Sequence, residues 1–194
     1  MSIEEIDDQE LIRRFYQADE DALKMIFKRY KDSLFNFSLR YTGNRADAED
    51  AVSHTFMMLC EKRYVVKEGA SFKTWAYTVA RNLCLTKLRS QRKLYSLWFT
   101  KNDSEEKQSI EIADHGPIAR DLLHDKELSQ IIQKAINKLP SEQRQALLLK
   151  EYHGFSYQEI VQVLDCSLEK VKVLIFRARA FLKEVLPPLL KEGR

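Results

Sequence analysis

The stretch from Leu139-Pro140 to Arg177-Ala178-Arg179 carries punctuation that few folds can satisfy. Pro140 suits a first helical turn, and Gly154 follows a helical pattern over 142–152. Ser156-Tyr157-Gln158-Glu159 has the form of a capping box that opens a short helix ending near Leu164. Asp165-Cys166-Ser167 then supplies a tight turn, with Ser167 placed as N-cap of a longer last helix. Two helices joined this way predict a helix-turn-helix. On the last helix Val171, Leu174, Ile175, Ala178, Leu182 and Val185 share one stripe that must be buried. The opposite side presents Lys172, Val173 and Phe176, with Lys170 and Arg177 toward its edge. Cations flanking apolar side chains at outward positions suit the DNA major groove, since Lys and Arg reach phosphates and guanine edges while apolar groups meet thymine methyls. A solvated basic helix in a bundle is the plainer reading of the same residues.

The rest of the 194-residue chain is helical by the same signs. It holds only 5 Gly and 4 Pro, helix-period patterns recur, and no alternating strand pattern persists, so an all-α fold is expected. The net charge of +3 is too small to mark the whole protein as a nucleic-acid binder, but the charge is unevenly placed. Eight acids lie between Met1 and Asp21 against Arg13 and Arg14, whereas the span from Arg81 to Lys93 holds five bases and no acid.

Leu23, Ile26, Phe27, Tyr30, Leu34 and Phe37 mark a core helix closed by Tyr41-Thr42-Gly43-Asn44. The next helix begins at Arg45 with Asp47, Glu49 and Asp50 in its first turns, and would bury Val52, Phe56 and Leu59. The helix dipole alone favours those acids there; an acidic docking face is the functional alternative. A loop follows from Val65 to Ser71, and Ser71 can cap a helix that runs from Phe72 to about Lys93. Aromatics near the start of that helix and bases toward its end suit single-stranded nucleic acid, although Phe72, Trp75 and Tyr77 read equally as core. Residues 100–121 lack apolar periodicity and read as a linker, which divides the chain into helical domains over 1–99 and 122–194, each with its own small core. Pro187-Pro188 is expected to end the last helix.

Several function classes are disfavoured. Cys60, Cys84 and Cys166 are odd in number, widely spaced and inside predicted helices, so they read as small buried hydrophobes. His54, His115, His124 and His153 show no metal-ligand spacing, and there is no glycine-rich phosphate loop or nucleophile elbow. Neither a catalytic constellation nor a cofactor is expected. No apolar run approaches the length of a membrane span, and the acidic N-terminus lacks a signal-peptide pattern, so a cytoplasmic protein without membrane insertion is expected.

With both halves in view, the chain resembles a bacterial RNA polymerase sigma factor of the extracytoplasmic-function (ECF) type over nearly its whole length. The resemblance rests on Asp47-Ala48-Glu49-Asp50-Ala51-Val52 with Phe56, on Ser71-Phe72-Lys73-Thr74-Trp75-Ala76-Tyr77 through Arg81-Asn82, and on Lys87-Leu88-Arg89. Further on it rests on Leu139-Pro140, Arg144, Gly154-Phe155-Ser156-Tyr157-Gln158-Glu159-Ile160 and Arg177-Ala178-Arg179. It implies a non-enzymatic subunit that binds core RNA polymerase at the largest-subunit clamp helices and the flap, directs it to promoter DNA and assists melting, with an anti-sigma factor as a further partner. Asp47, Glu49, Asp50 and Phe56 are then the expected polymerase-docking residues. Lys67, Gly69, Ala70, Ser71, Phe72, Asn82, Lys87, Arg89, Arg92 and Lys93 are expected at minus-10 DNA, and Tyr157, Lys170, Lys172, Val173, Phe176, Arg177 and Arg179 at minus-35 DNA.

This chain departs from the family pattern at Ser53 and His54, which leaves docking to the other acids, at Thr86, and at Lys170 and Val173-Leu174, so its minus-35 preference is its own. The rival reading is a repressor or activator that uses the same helix-turn-helix on duplex DNA, usually as a dimer. The acidic helix and the aromatic loop are not needed by such a protein.

Overall fold

A computed structural model describes residues 6–61, 71–99 and 123–192, with side chains described over 6–61, 71–91 and 128–187. The expected linker and the loop carrying Lys67, Gly69 and Ala70 lie outside those residues. Among the described residues every regular element is an α-helix: α1 (Asp8–Tyr16), α2 (Glu20–Thr42), α3 (Arg45–Cys60), α4 (Phe72–Phe99), α5 (Leu123–Asn137), α6 (Ser141–Glu151), α7 (Tyr157–Leu164) and α8 (Leu168–Glu192). None of these described helices is long and apolar enough to cross a membrane.

Local chemistry sets the helix ends. Asp7, Asp19 and Asn44 cap α1, α2 and α3 by accepting hydrogen bonds from first-turn backbone N–H groups. Gly43 takes the left-handed conformation that closes α2, at φ 72°. Ser156 and Glu159 complete the capping box of α7, and the Ser167 hydroxyl accepts from Lys170 N at 3.2 Å at the head of α8.

The prolines at 187 and 188 do not end α8, which runs on to Glu192. Their φ is helical by construction, and the carbonyls they leave unbonded belong to Lys183 and Glu184, both exposed and so open to water. Helix α1 was not anticipated. Its inward stripe is Leu11, Ile12, Phe15 and Tyr16, and Asp8 ties it to Arg29 and Tyr30 of α2. The cysteines differ as well: Cys84 is buried, its thiol pushed up to about 11 by burial, but Cys60 is exposed and Cys166 lies in the turn after α7.

In the first half, α2 is the central helix. It buries Ile26, Tyr30, Leu34, Phe37 and Tyr41 along one stripe and packs against α1, α3 and α4. In the second half α6 buries four consecutive apolar residues, Ala146 to Leu149, directly after the buried Gln145. A helix apolar on successive positions must be covered on more than one side. Here α8 and α7 cover part of it and α2 covers another part, while α7 lies against α4. One cluster of buried apolar side chains therefore runs through both halves, instead of the separate small cores expected from the linker.

Polar groups lock this junction. The Gln145 amide, 1% exposed, donates to the Tyr41 hydroxyl at 2.5 Å and accepts from Arg81 Nε at 2.5 Å. Arg144 Nη1 donates to the Tyr41 carbonyl at 2.9 Å, and the Arg40 guanidinium stacks 4.2 Å from the Tyr152 ring. His153 sits between the halves, its Nδ1 2.8 Å from the Tyr77 hydroxyl and 3.4 Å from Ser33 Oγ.

Burial first, then the neighbouring Lys73 and Arg40 charges, push His153 down to about 4. The unfolded chain takes up a proton nearer 6.5, so this group's stabilisation is complete above that pH and is lost as pH falls toward 4. Thermal unfolding between pH 7 and pH 4.5 is expected to show a falling midpoint in the wild type and a smaller fall in His153→Gln; equal slopes would remove His153 from the junction's energetics.

Candidate polymerase and nucleic-acid interface

The acids of α3 divide by orientation. Glu49 and Asp50 are exposed. Glu49 accepts from Arg45 Nε at 2.8 Å, and Asp50 accepts from Lys87 Nζ of α4 at 2.8 Å. Asp47 is buried at 8% exposure and turned inward, where it accepts from Gln91 Nε2 at 3.0 Å. Its backbone N–H is the donor to the Asn44 cap. Phe56 is likewise a core residue, 7% exposed and edge-on to Phe27 with ring centroids 4.8 Å apart. Of the expected docking set, Glu49 and Asp50 face outward, whereas Asp47 and Phe56 face inward against α4 and α2. The inward turn of Asp47 follows from the α4 bases and amide packed beside it, which helix periodicity on α3 alone does not reveal.

The α4 residues show a similar division. Ser71 caps the helix, its hydroxyl accepting from Thr74 N at 3.2 Å. Phe72 is fully buried, edge-on to Tyr30 at 5.1 Å and tilted against Trp75 at 5.5 Å. It anchors the start of α4 in the core and is not the exposed base platform expected of it; an aromatic just inside a helix start is covered when α2 crosses above it. Trp75 is half-buried and Tyr77 buried. Asn82 and Arg89 are exposed, and the Asn82 side-chain oxygen accepts from Arg81 Nη1 at 3.0 Å. Lys87 is raised by its hydrogen bond to Asp50, so an expected DNA cation and an expected docking acid hold each other. The backbone of Arg92 and Lys93 continues α4, while their side chains lie outside the described ones.

On α8 the residues expected to point outward are exposed. Val171, Leu174, Ile175 and Ala178 are buried, while Lys172, Val173, Phe176 and Arg177 are exposed. Phe176 is 73% exposed and Val173 45%, large apolar groups left in water beside two cations. The edges of the face are engaged with α6: Lys170 Nζ binds Glu142 at 2.9 Å and Arg179 binds Glu151 at 2.5 Å. Exposed pairs of this kind are worth about 0–1 kcal/mol, so a DNA phosphate displaces them at little cost. Tyr157 is half-buried under the Lys150 ammonium, 4.9 Å from its ring centre.

A helix-turn-helix whose second helix leaves cations and apolar groups outward, joined to a helical unit with exposed acids on one helix and bases on the next, defines a DNA-binding protein with a second docking surface. Residues 26–94 match the family Sigma-70 region 2, and residues 129–182 match Sigma-70, region 4. The chain belongs to the sigma-70 family of RNA polymerase sigma factors, and its relatives are of the ECF type. It is 28% identical to the ECF RNA polymerase sigma-E factor of Haemophilus influenzae, over 96% of this chain and 99% of that one. It is also 28% identical to the RNA polymerase sigma-H factor of Pseudomonas aeruginosa, over 96% of this chain and 97% of the relative. Among solved structures, the sigma factor RpoE from Bartonella quintana in complex with the anti-sigma factor NepR is 27% identical, with a TM-score of 0.61 over 88% of this chain and 98% of that one. CnrH in complex with the cytosolic domain of CnrY shares the fold at 20% identity, with a TM-score of 0.64 over 93% of this chain and 97% of that one.

The inward and outward aromatics make a direct test of these placements. Phe56→Ala is expected to lower unfolding free energy by about 3–5 kcal/mol, as for a buried aromatic. Phe176→Ala is expected to leave it within about 0.5 kcal/mol. Urea denaturation measures both, and similar losses would mean that Phe176 is packed in solution.

Proposed function

We propose that this sigma factor reads a minus-35 element with Lys172, Val173, Phe176 and Arg177, holds melted minus-10 DNA along α4 and its preceding loop, and docks Glu49 and Asp50 on the clamp helices of the polymerase largest subunit. The observation that carries the reading is the exposed cation-and-apolar face of α8, which nothing within the described residues covers. Lys172 and Arg177 supply salt-sensitive phosphate or guanine contacts, and Val173 and Phe176 supply packing on thymine methyls. Asn82 is the α4 group that would hydrogen-bond an extruded base, its amide orientation held by Arg81. Trapping that base offsets an unstacking cost of about a few kcal/mol. The protein does no chemistry itself; polymerase does. The same surfaces would be covered by an anti-sigma factor in the cytoplasm, as NepR accompanies the Bartonella relative.

Run-off transcription with purified core polymerase on genomic fragments tests the reading: new start sites that share a two-part upstream sequence are expected only when the protein is added. On such a promoter, Arg177→Ala should weaken binding about tenfold or more, in line with the loss of about 1–3 kcal/mol for a good base contact, and leave core binding unchanged. Asp50→Ala should weaken core binding and leave free-protein contacts to minus-35 duplex unchanged. If the two variants failed in the same assay, the division of labour between α3 and α8 would be wrong.

A further inference from the structure

Glu142 and Glu151 of α6 belong neither to the docking set nor to the residues expected at DNA. Glu142 accepts from Lys170 Nζ at 2.9 Å, and Glu151 accepts from Arg179 Nε at 3.0 Å and Nη2 at 2.5 Å. Each pair joins residues 28 positions apart, so the same offset between α6 and α8 recurs. Lys170 and Arg179 stand nine residues apart on α8, which is about 13.5 Å of rise and about two and a half turns. Half a turn out of phase, they leave α8 on opposite flanks of the outward face formed by Lys172, Val173, Phe176 and Arg177. Helix α6, packed against α8, brings one acid to each flank.

Charge is therefore sorted across the face. Lys172 and Arg177, near its centre, form no ion pair among the described residues. Lys170 and Arg179, equally exposed, are each held by a carboxylate and raised by that bond. A major groove is about 12 Å wide with a row of phosphates on either wall, and a helix lying in it turns its outward centre to base edges and its flanks to the two backbones. The two carboxylates thus accept from the flanking cations in the way that phosphates of the two strands would: charged oxygens taking the same donors.

We propose that Glu142 and Glu151 are positioning residues for duplex reading, built-in stand-ins for phosphate that hold Lys170 and Arg179 at the flanks and weaken the free protein's attraction for random duplex. The inference rests on the reading of α8 as the minus-35 face. On DNA the two cations exchange carboxylate for phosphate, which leaves an unpaired acid beside each strand. That repulsion applies to every duplex alike. A matched sequence still offers base edges to Lys172, Val173, Phe176 and Arg177, whereas random duplex is held by phosphate contacts alone and loses most of what binds it.

Fluorescence anisotropy of the full-length protein with a labelled random-sequence duplex tests the inference. Glu142→Gln combined with Glu151→Gln keeps side-chain size and an acceptor oxygen while removing the charge. The double variant should bind random duplex about fivefold more tightly, the scale of two exposed ion pairs. Its slope of log K against log salt should steepen by up to about 1.8, at about 0.9 per duplex phosphate. Glu184→Gln, the same change of charge farther along α8, should alter binding less than about twofold, because salt screens exposed charges away from the contact. In a Lys170→Ala, Arg179→Ala protein the two Glu→Gln changes should bring no gain, since the partners they release are gone. The inference is overturned if the double variant binds no tighter, if Glu184→Gln matches its gain, or if the gain survives loss of Lys170 and Arg179. Lys172→Ala with Arg177→Ala separates this failure from that of the α8 reading: duplex binding unaltered by that pair would overturn the reading itself, whereas weakened binding with no gain from the acid changes overturns the inference alone.

Discussion

The burial of α6 on several sides is the constraint on which the rest of the structure depends. Ala146, Leu147, Leu148 and Leu149 are all buried, and no single neighbouring helix can cover four successive positions. Helices α7 and α8 satisfy part of that demand within the helix-turn-helix unit, and α2 satisfies another part. The consequence is a continuous apolar cluster and, at its margin, a set of polar groups that must find partners across the junction. Tyr41, Gln145 and Arg81 do so in one chain of hydrogen bonds. Removing water from such groups is costly unless each is bonded, which makes the junction specific as well as adhesive.

Charge is arranged differently on the outer surfaces. There the protein holds many of its cations with its own acids: Lys87 by Asp50, Lys170 by Glu142, Arg179 by Glu151. These pairs are exposed, cheap to exchange and sensitive to salt. They keep the side chains poised near their places while lowering non-specific attraction to polyanions. The centre of the α8 face, with Lys172, Val173, Phe176 and Arg177 outward, is the surface proposed above to read minus-35 DNA.

Much of this was legible in the sequence. The capping box at Ser156, the Ser167 cap, the Gly43 closure and the Asn44 start of α3 each depend on a few adjacent residues, and each occurs where local chemistry puts it. The outward set on α8 was readable because the buried stripe of Val171, Leu174, Ile175 and Ala178 leaves only one other side. Phe56 was read as core and is core, whereas the inward turn of Asp47 and the full burial of Phe72 were not fixed by periodicity. Periodicity says which residues share a face but not which second helix covers it, and here Gln91 of α4 meets Asp47 while Tyr30 of α2 covers Phe72. Helix α1 was missed although Leu11, Ile12, Phe15 and Tyr16 recur at helical spacing and pack on the core.

The sequence by itself determined an all-helical chain, the helix-turn-helix and the face it presents, because caps, turns and a helical stripe are short-range properties. Tertiary structure alone decided that Asp47 turns inward while Glu49 and Asp50 stay exposed, and that Phe72 is core. It also decided that Lys73, Tyr77 and Arg81, three residues of one helix, meet Gln145, His153 and Phe155 from the far half of the chain. That meeting follows from the need of α6 to bury more apolar surface than its own unit can cover, a demand that becomes visible only when the helices are packed.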